Sequence, residues 1–214
     1  MTKINPTKPE SRIREKKERR DEYAIILDFL PRGYAKSKIS MPIAQAIATT
    51  TLTLLELKSK PNVSLAIGEK VYIGSGERDK IESILRRLYY RNLTATAQKE
   101  LERALQKIIE ENELHFVEFF NKAESINIRE HQLDLLPGMG KKTLWQILEE
   151  RKKEPFKSFE DIKNRVPSMI DPKKAIIKRI IEELKGEEKI YLFTRPPYRG
   201  TRRKKMMRRF MKRR

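Results

Sequence analysis

The 214 residues carry 49 Lys and Arg against 30 Asp and Glu, a formal charge of +19, with 38% hydrophobic residues, two His and no Cys. A chain of this length and apolar content can bury a core, while the lack of any run of about 18 apolar residues argues against a membrane-spanning helix, and the charged start MTKINPTKPESRIREKKERR lacks the apolar stretch of a secretory signal. Without Cys there are no disulfides, iron-sulfur clusters or thiolate zinc sites, and His115 and His131 have no metal-ligand spacing, so the expectation is a soluble cytoplasmic protein with no metal and no cofactor.

The charge is unevenly distributed. Residues 195–214 hold eleven Lys and Arg and no acid, residues 1–22 hold eight basic against five acidic, and residues 23–194 hold thirty against twenty-five. The body is therefore close to balanced, and a C-terminal arm supplies most of the excess, which is the footprint of a polyanionic partner.

In chain order, residues 1–20 have little to bury and are expected to form a disordered lead-in. YAIILDFL (23–30) and EKVYIG (69–74) read as strands, and AQAIATTTLTLLELK (44–58) as one bent strand or two. GERDKIESILRRLYY (76–90) sets Ile81, Ile84, Leu85 and Leu88 on one helical face and predicts a helix. From Thr94 the period is helical, with Leu101, Ala104, Leu105, Ile108 and Ile109 in step, followed by helices over 114–124, through Leu133, Leu135 and Leu136, and from about Lys141 to Lys153. Ser158 with Asp161 marks the start of a short helix to Arg165, and Asp171-Pro172 opens one to Leu184, six or seven helices in all. KIYLFT (189–194) reads as a strand returning to the N-terminal sheet as its fifth member. The expected architecture is α+β: a small OB/S1-like β-barrel (21–92 plus 189–194), a helical domain (93–186) and a basic arm (195–214).

The most informative stretch is LDLLPGMGKKTLWQILEERKK (133–153), which reads helix, tight turn, helix. Gly138 and Gly140 flank Met139, and Lys141, Lys142 and Thr143 open the following helix. Glycines suit a turn that visits positive φ and lets a phosphate approach bare backbone, where outward N–H groups and the helix dipole meet its oxygens without reading a base. The pattern matches the helix-hairpin-helix consensus, apolar-Pro-Gly-apolar-Gly; an ordinary αα-hairpin with a glycine cap is the plainer alternative. Trp145 and Ile147 are expected to pack. Residues 154–180 look like the second half of a tandem pair, but Val166-Pro167-Ser168-Met169-Ile170-Asp171 lacks both glycines, so Lys173 and Lys174 are expected to be weaker phosphate contacts.

Elsewhere, PRGYAKSK (31–38) brings Arg32, Tyr34, Lys36 and Lys38 onto one loop, either a nucleic-acid-facing loop or a merely solvated one. In TRRKKMMRRFMKRR, Met206 with Phe210 and Met207 with Met211 would line a narrow apolar stripe, leaving Arg202, Arg203, Lys204, Lys205, Arg208 and Arg209 for a polyanion. A membrane surface competes for such an arm, but the hairpin on the same chain favours nucleic acid. No small-molecule substrate is indicated.

With those residues in view, the body from Tyr23 to Pro196 resembles the archaeal family called domain of unknown function 655. The similarity is carried by DEYAIILDFLPRG, GEKVYIGSGERDKI, NLTATAQKEL, FVEFFNKAESI, LDLLPGMGKKTLW, FKSFEDIKNRV and YLFTRPP. The resemblance implies an S1/OB-like region plus a helix-hairpin-helix, RNA or nucleotide binding, and genes lying beside a ribosomal RNA dimethyladenosine methyltransferase and ribosomal protein genes. That setting favours RNA over DNA, with rRNA or ribosomal particles as partners. The basic arm lies beyond the shared body and inherits no role.

An enzymatic rival exists, because LPGMGKKT also resembles the hairpin of base-excision DNA glycosylases, which would make Lys142 a Schiff-base lysine. Such enzymes place a catalytic Asp about eighteen residues later, where this chain has Glu160 and then Asp161 inside a capping pattern. The reading is therefore a non-catalytic, sequence-tolerant nucleic-acid binder, with a DNA replication or repair protein as the alternative.

Overall fold

Strands β1 (Tyr23–Leu30), β2 (Ile43–Ala48), β3 (Leu54–Ser59), β4 (Lys70–Tyr72) and β5 (Ile81–Arg87) form one antiparallel sheet in the order β4-β1-β2-β3-β5. The structure is a computed structural model and describes residues 21–35, 40–169 and 171–196; the lead-in 1–20, Lys36, Lys38 and the arm residues Arg202, Arg203, Lys204, Lys205, Arg208 and Arg209 lie outside them. Every residue of β2 is buried because both faces of the sheet are covered. One face carries Ala24, Ala44, Ala46 and Ala48 with Ile26, Leu55, Leu57, Val71 and Ile81, and such small side chains let the sheet curl into a half-barrel. The other face, with Ile25, Leu27, Ile47 and Leu54, packs on the helices.

The stretch 44–58 is two strands. Their turn holds Leu52 buried at φ 53, an αL conformation unusual for a leucine. Asp21 secures it, its carboxylate accepting from the Thr50 and Thr51 N–H groups and from the Thr51 hydroxyl.

Five α-helices follow among the described residues: α1 (Ala95–Glu111), α2 (Glu113–Lys122), α3 (Lys141–Lys153), α4 (Phe159–Arg165) and α5 (Pro172–Lys185). The side chains of Thr94, Ser158 and Asp171 cap α1, α4 and α5 by accepting from the N–H groups of Ala97, Asp161 and Lys174. Leu101, Leu105 and Ile108 of α1 share a single apolar cluster with the sheet and with Phe120, Ile147, Ile162 and Ile176 of the other helices, so sheet and helices are built on a common core.

A polar seam joins them. A β-bulge after Ile26 brings Asp28 opposite Gln45, and the two side chains accept from Thr94 Oγ1 (2.6 Å) and Thr94 N (2.8 Å) at the start of α1. Gln45 Nε2 donates to Tyr34 Oη (2.9 Å), which donates to Glu56 Oε2 (2.6 Å), and Arg86 closes the chain with two bonds to the Glu56 carboxylate (2.9 and 3.0 Å).

Four expectations are corrected. Residues 76–90 are not a helix: 81–87 is the fifth strand, with a register shift that leaves Leu85 between Ile84 and Arg86 unpaired, so an apolar spacing that also suits a helix is spent on a bulged edge. The helix through 133–136 is a single 3-10 turn, Gln132–Leu135. Among the described residues the α-helix count is accordingly five, not six or seven. Residues 189–194 are not a strand. The Glu183 carboxylate, 1% exposed, accepts from Leu192 N (2.7 Å), Phe193 N (3.1 Å), Thr194 N (2.8 Å) and Thr194 Oγ1 (3.0 Å), and buried Arg179 bonds Glu183, Glu188 and the carbonyl of Ile190. Side chains of α5 thus take the N–H groups that a neighbouring strand would have taken.

Candidate nucleic-acid interface

The approach to the LPGMGKKT turn is built by local bonds. His131 Nδ1 accepts from Leu133 N (3.1 Å), and Asp134 Oδ2 accepts from His131 N (2.9 Å), a reciprocal box around the 3-10 turn. Burial, then the Arg151 charge, hold the His131 imidazole below its ordinary pKa, with Asp134 opposing them, so the neutral ring that can accept is favoured. Leu133 and Leu136 anchor the turn in the core, Met139 leans on it, and Met139 N donates back to Leu136 O (3.0 Å). Arg151 fastens α3 to the end of α2 through the carbonyls of Phe120 (2.9 Å) and Ala123 (2.8 Å).

Gly138 sits at φ +85, where a side chain would strain the backbone. Gly140, the N-cap of α3, has φ −85 and ψ 161, which any residue adopts, and a Cβ at either glycine would meet no heavy atom within 4 Å. No side chain caps the first turn of α3. The first N–H groups of α3 are therefore left without a side-chain acceptor among the described residues, at the positive end of the helix dipole.

The second turn has a similar frame and the opposite outcome. Met169 N donates to Val166 O (2.8 Å), as Met139 does to Leu136, and Val166 and Met169 are buried. There, however, the helix begins with Asp171, whose carboxylate accepts from Lys174 N (2.8 Å), and with Pro172, which has no N–H. That terminus already holds its anion.

The side chains named from the sequence divide accordingly. Lys142 is exposed and makes no ion pair among the described residues, whereas Lys141 Nζ is bound to Asp134 (2.9 Å) and Lys173 Nζ to Glu110 (2.9 Å). Lys174 offers only its side chain, its N–H being taken. Thr143 is buried at 6% exposure, facing the core and not the turn's open side. Tyr34, expected on a solvent-facing loop, is half-buried, and burial together with its bond to Glu56 pushes its phenol above the ordinary range. Arg32 is exposed. Trp145, expected to pack, is 62% exposed, while Ile147 is fully buried. Helical geometry carried the missed signal: with Leu144 and Ile147 defining the inner face, about 100° per residue turns Trp145 outward.

The Asp134 carboxyl is pushed up by burial but pulled below its usual range overall by the Lys141 ammonium and the His131 N–H. Between its lowered folded value and its unfolded value the unfolded chain binds more protons, so its stabilisation is complete above about pH 4 and is lost as pH falls through the folded value. Asp134→Asn should flatten the acid limb of a stability-against-pH curve measured by urea unfolding. An unaltered limb would remove the carboxylate from that role.

A cleft of about 1140 Å3, lined by none of the turn residues, is bounded by Tyr23, Thr50, Lys70, His115, Phe193 and Arg195. Tyr23 and Arg195, near the two ends of the described residues, thus line one cleft. Among the described residues no group of three or more His, Cys, Asp or Glu could hold a metal ion, and no helix is long and apolar enough to cross a membrane.

A curled antiparallel half-barrel sharing its core with five helices, one of which starts on a glycine-flanked turn without a side-chain cap, defines an α+β protein. Residues 20–195 match the family described as "Protein of unknown function (DUF655)", and the chain belongs to that family. It is 40% identical over 184 residues to the uncharacterized protein MJ0038 of Methanocaldococcus jannaschii, covering 85% of this chain and 83% of that one. It is also similar to the crystal structure of Af1531 from Archaeoglobus fulgidus, a DUF655 protein, with a TM-score of 0.77 and 45% identity over 82% of this chain and 100% of that chain.

Proposed function

We propose that this protein is a non-catalytic, largely sequence-tolerant nucleic-acid-binding protein whose Leu136–Gly140 turn works as the hairpin of a helix-hairpin-helix, gripping a sugar-phosphate backbone. The observation that carries the reading is the contrast between the two turns: α3 begins on bare glycine with Lys142 unpaired among the described residues, and α5 begins on its own carboxylate. Phosphate oxygens need what the first supplies and the second has already used. RNA is preferred to DNA here because of the ribosomal gene setting that goes with the family, not because of the geometry. The five strands and their curl support an OB-like reading of the sheet, although its edges β4 and β5 do not pair. Arg32 on the β1–β2 loop is the described residue that reading would use. The basic arm adds long-range attraction.

Competition binding of the full chain to structured rRNA fragments, single-stranded RNA and duplex DNA at matched salt tests this. Preference for RNA supports it; equal or tighter binding to duplex DNA replaces RNA with a genome-maintenance partner. Lys142→Ala should flatten the slope of log affinity against log salt by about 0.7 on single strands, or about 0.9 on duplex, for one lost phosphate contact. An unchanged slope would take Lys142 out of the interface.

A further inference from the structure

Trp145 is the one tryptophan of the chain, and it stands 62% exposed on the outer face of α3. An aromatic of that size left in water forgoes a large burial free energy, which packing on α3 supplies to Leu144 and Ile147 instead. Its helical neighbours are Lys141 and Lys142 one turn before, and Leu148 and Glu149 one turn after. Helical side chains lean toward the N-terminus, so the indole covers the turn that carries Lys141 and Lys142, beside the open Gly138–Gly140 backbone. From Gly140 to Trp145 the axis rises about 7.5 Å, within reach of a single nucleotide between its phosphate and its base.

We infer that Trp145 is a stacking platform for an unpaired base whose phosphate is seated at the Gly138–Gly140 turn, which makes the site one for single-stranded or loop RNA in preference to a paired duplex. The inference rests on the proposed phosphate grip and adds the substrate class. A base in a continuous duplex is stacked on both faces and offers nothing to the indole; a base in a loop or single strand does. The surroundings favour a nucleic acid over an apolar protein surface. Trp145 is set among lysines, whereas Leu114 and Ile128, also strongly exposed, belong to α2 and to the 123–131 connection, outside α3.

Because Trp145 is the sole tryptophan, its emission reports on the site directly. Full-length protein is titrated with single-stranded oligouridylate and oligoadenylate and with a matched RNA duplex, following tryptophan emission and, separately, the anisotropy of end-labelled RNA. The expected result is emission quenched by the single strands with the same midpoint as the anisotropy, and unaffected by the duplex. Trp145→Ala should weaken single-strand binding by about 5- to 150-fold, the range measured for losing one base–aromatic stack. Trp145→Phe should retain most of the affinity, and the duplex should bind either variant as it binds the parent. Single-strand binding with unchanged emission and a neutral Trp145→Ala would overturn the stacking role, as would an indole already shielded from acrylamide by self-association in the absence of RNA. Gly140→Asp separates the two readings: a variant that loses affinity while Trp145→Ala does not leaves the grip standing without the stack, and the reverse pattern leaves an aromatic contact without the grip.

Discussion

Gly140→Asp should abolish most nucleic-acid binding while leaving the fold as stable as before or slightly more so. The two effects separate because of what the position requires. Its backbone angles suit any residue and a Cβ there meets open space, so the substitution introduces neither strain nor a clash. Aspartate is a better N-cap than glycine, by a few tenths of a kcal/mol, and would accept from an N–H of the first turn of α3 as Asp171 accepts from Lys174 N in α5. The same carboxylate then occupies and repels the place proposed for a phosphate. The affinity loss should be about 1.5–3 kcal/mol, roughly 10- to 150-fold, the contribution of a hydrogen bond to a charged group. Thermal unfolding and RNA anisotropy on the same preparation decide it. Retained affinity together with a raised melting temperature would mean that the carboxylate caps the helix and that no ligand phosphate had been there. Gly138→Asp is the less informative variant, because φ +85 adds backbone strain and confuses misfolding with lost contact.

Glu183→Ala should cost about 3–5 kcal/mol, the usual penalty for breaking a buried, hydrogen-bonded ion pair by removing one member. Arg179, 3% exposed, would lose one of its acidic partners while keeping Glu188, and the N–H groups of Leu192, Phe193 and Thr194 would lose their acceptor together. Against a typical domain stability of about 5–15 kcal/mol this is a large fraction, equivalent to a fall in melting temperature of about 6–20 °C. The segment 188–196 should become the first site of proteolytic cleavage. Glu183→Gln, which keeps acceptor oxygen and shape, should lose less. A change under about 1 kcal/mol in guanidinium unfolding would mean that water serves the freed groups and that the docking of 188–196 on α5 contributes little.

Much of the helical half was legible because its signals are local. Thr94, Ser158 and Asp171 cap helices through N–H groups three residues away, and the buried faces of α1 and α5 follow from the spacing of their apolar residues. The Pro137-Gly138-Met139-Gly140 turn was equally plain, since its chemistry lies in backbone that only glycine leaves bare. The strands of residues 23–30, 44–58 and 69–74 were visible from runs of β-branched and apolar residues, with 44–58 resolved as two.

What the sequence determined by itself, then, is where the capped helices start and where the glycine turn before α3 falls, because those depend on bonds spanning only a few residues. Tertiary structure alone decided the rest. Residues 81–87 are a strand because β3 offers an edge at that place, and 189–194 are not because Glu183 reaches their N–H groups first. Lys173 is held by Glu110 across 63 positions of sequence, and Tyr34 by Glu56 across 22, so neither can be sorted into ligand-facing or structural from its own neighbourhood. Free lysines and paired ones look alike in a sequence; the difference is a carboxylate that folding brings within about 3 Å.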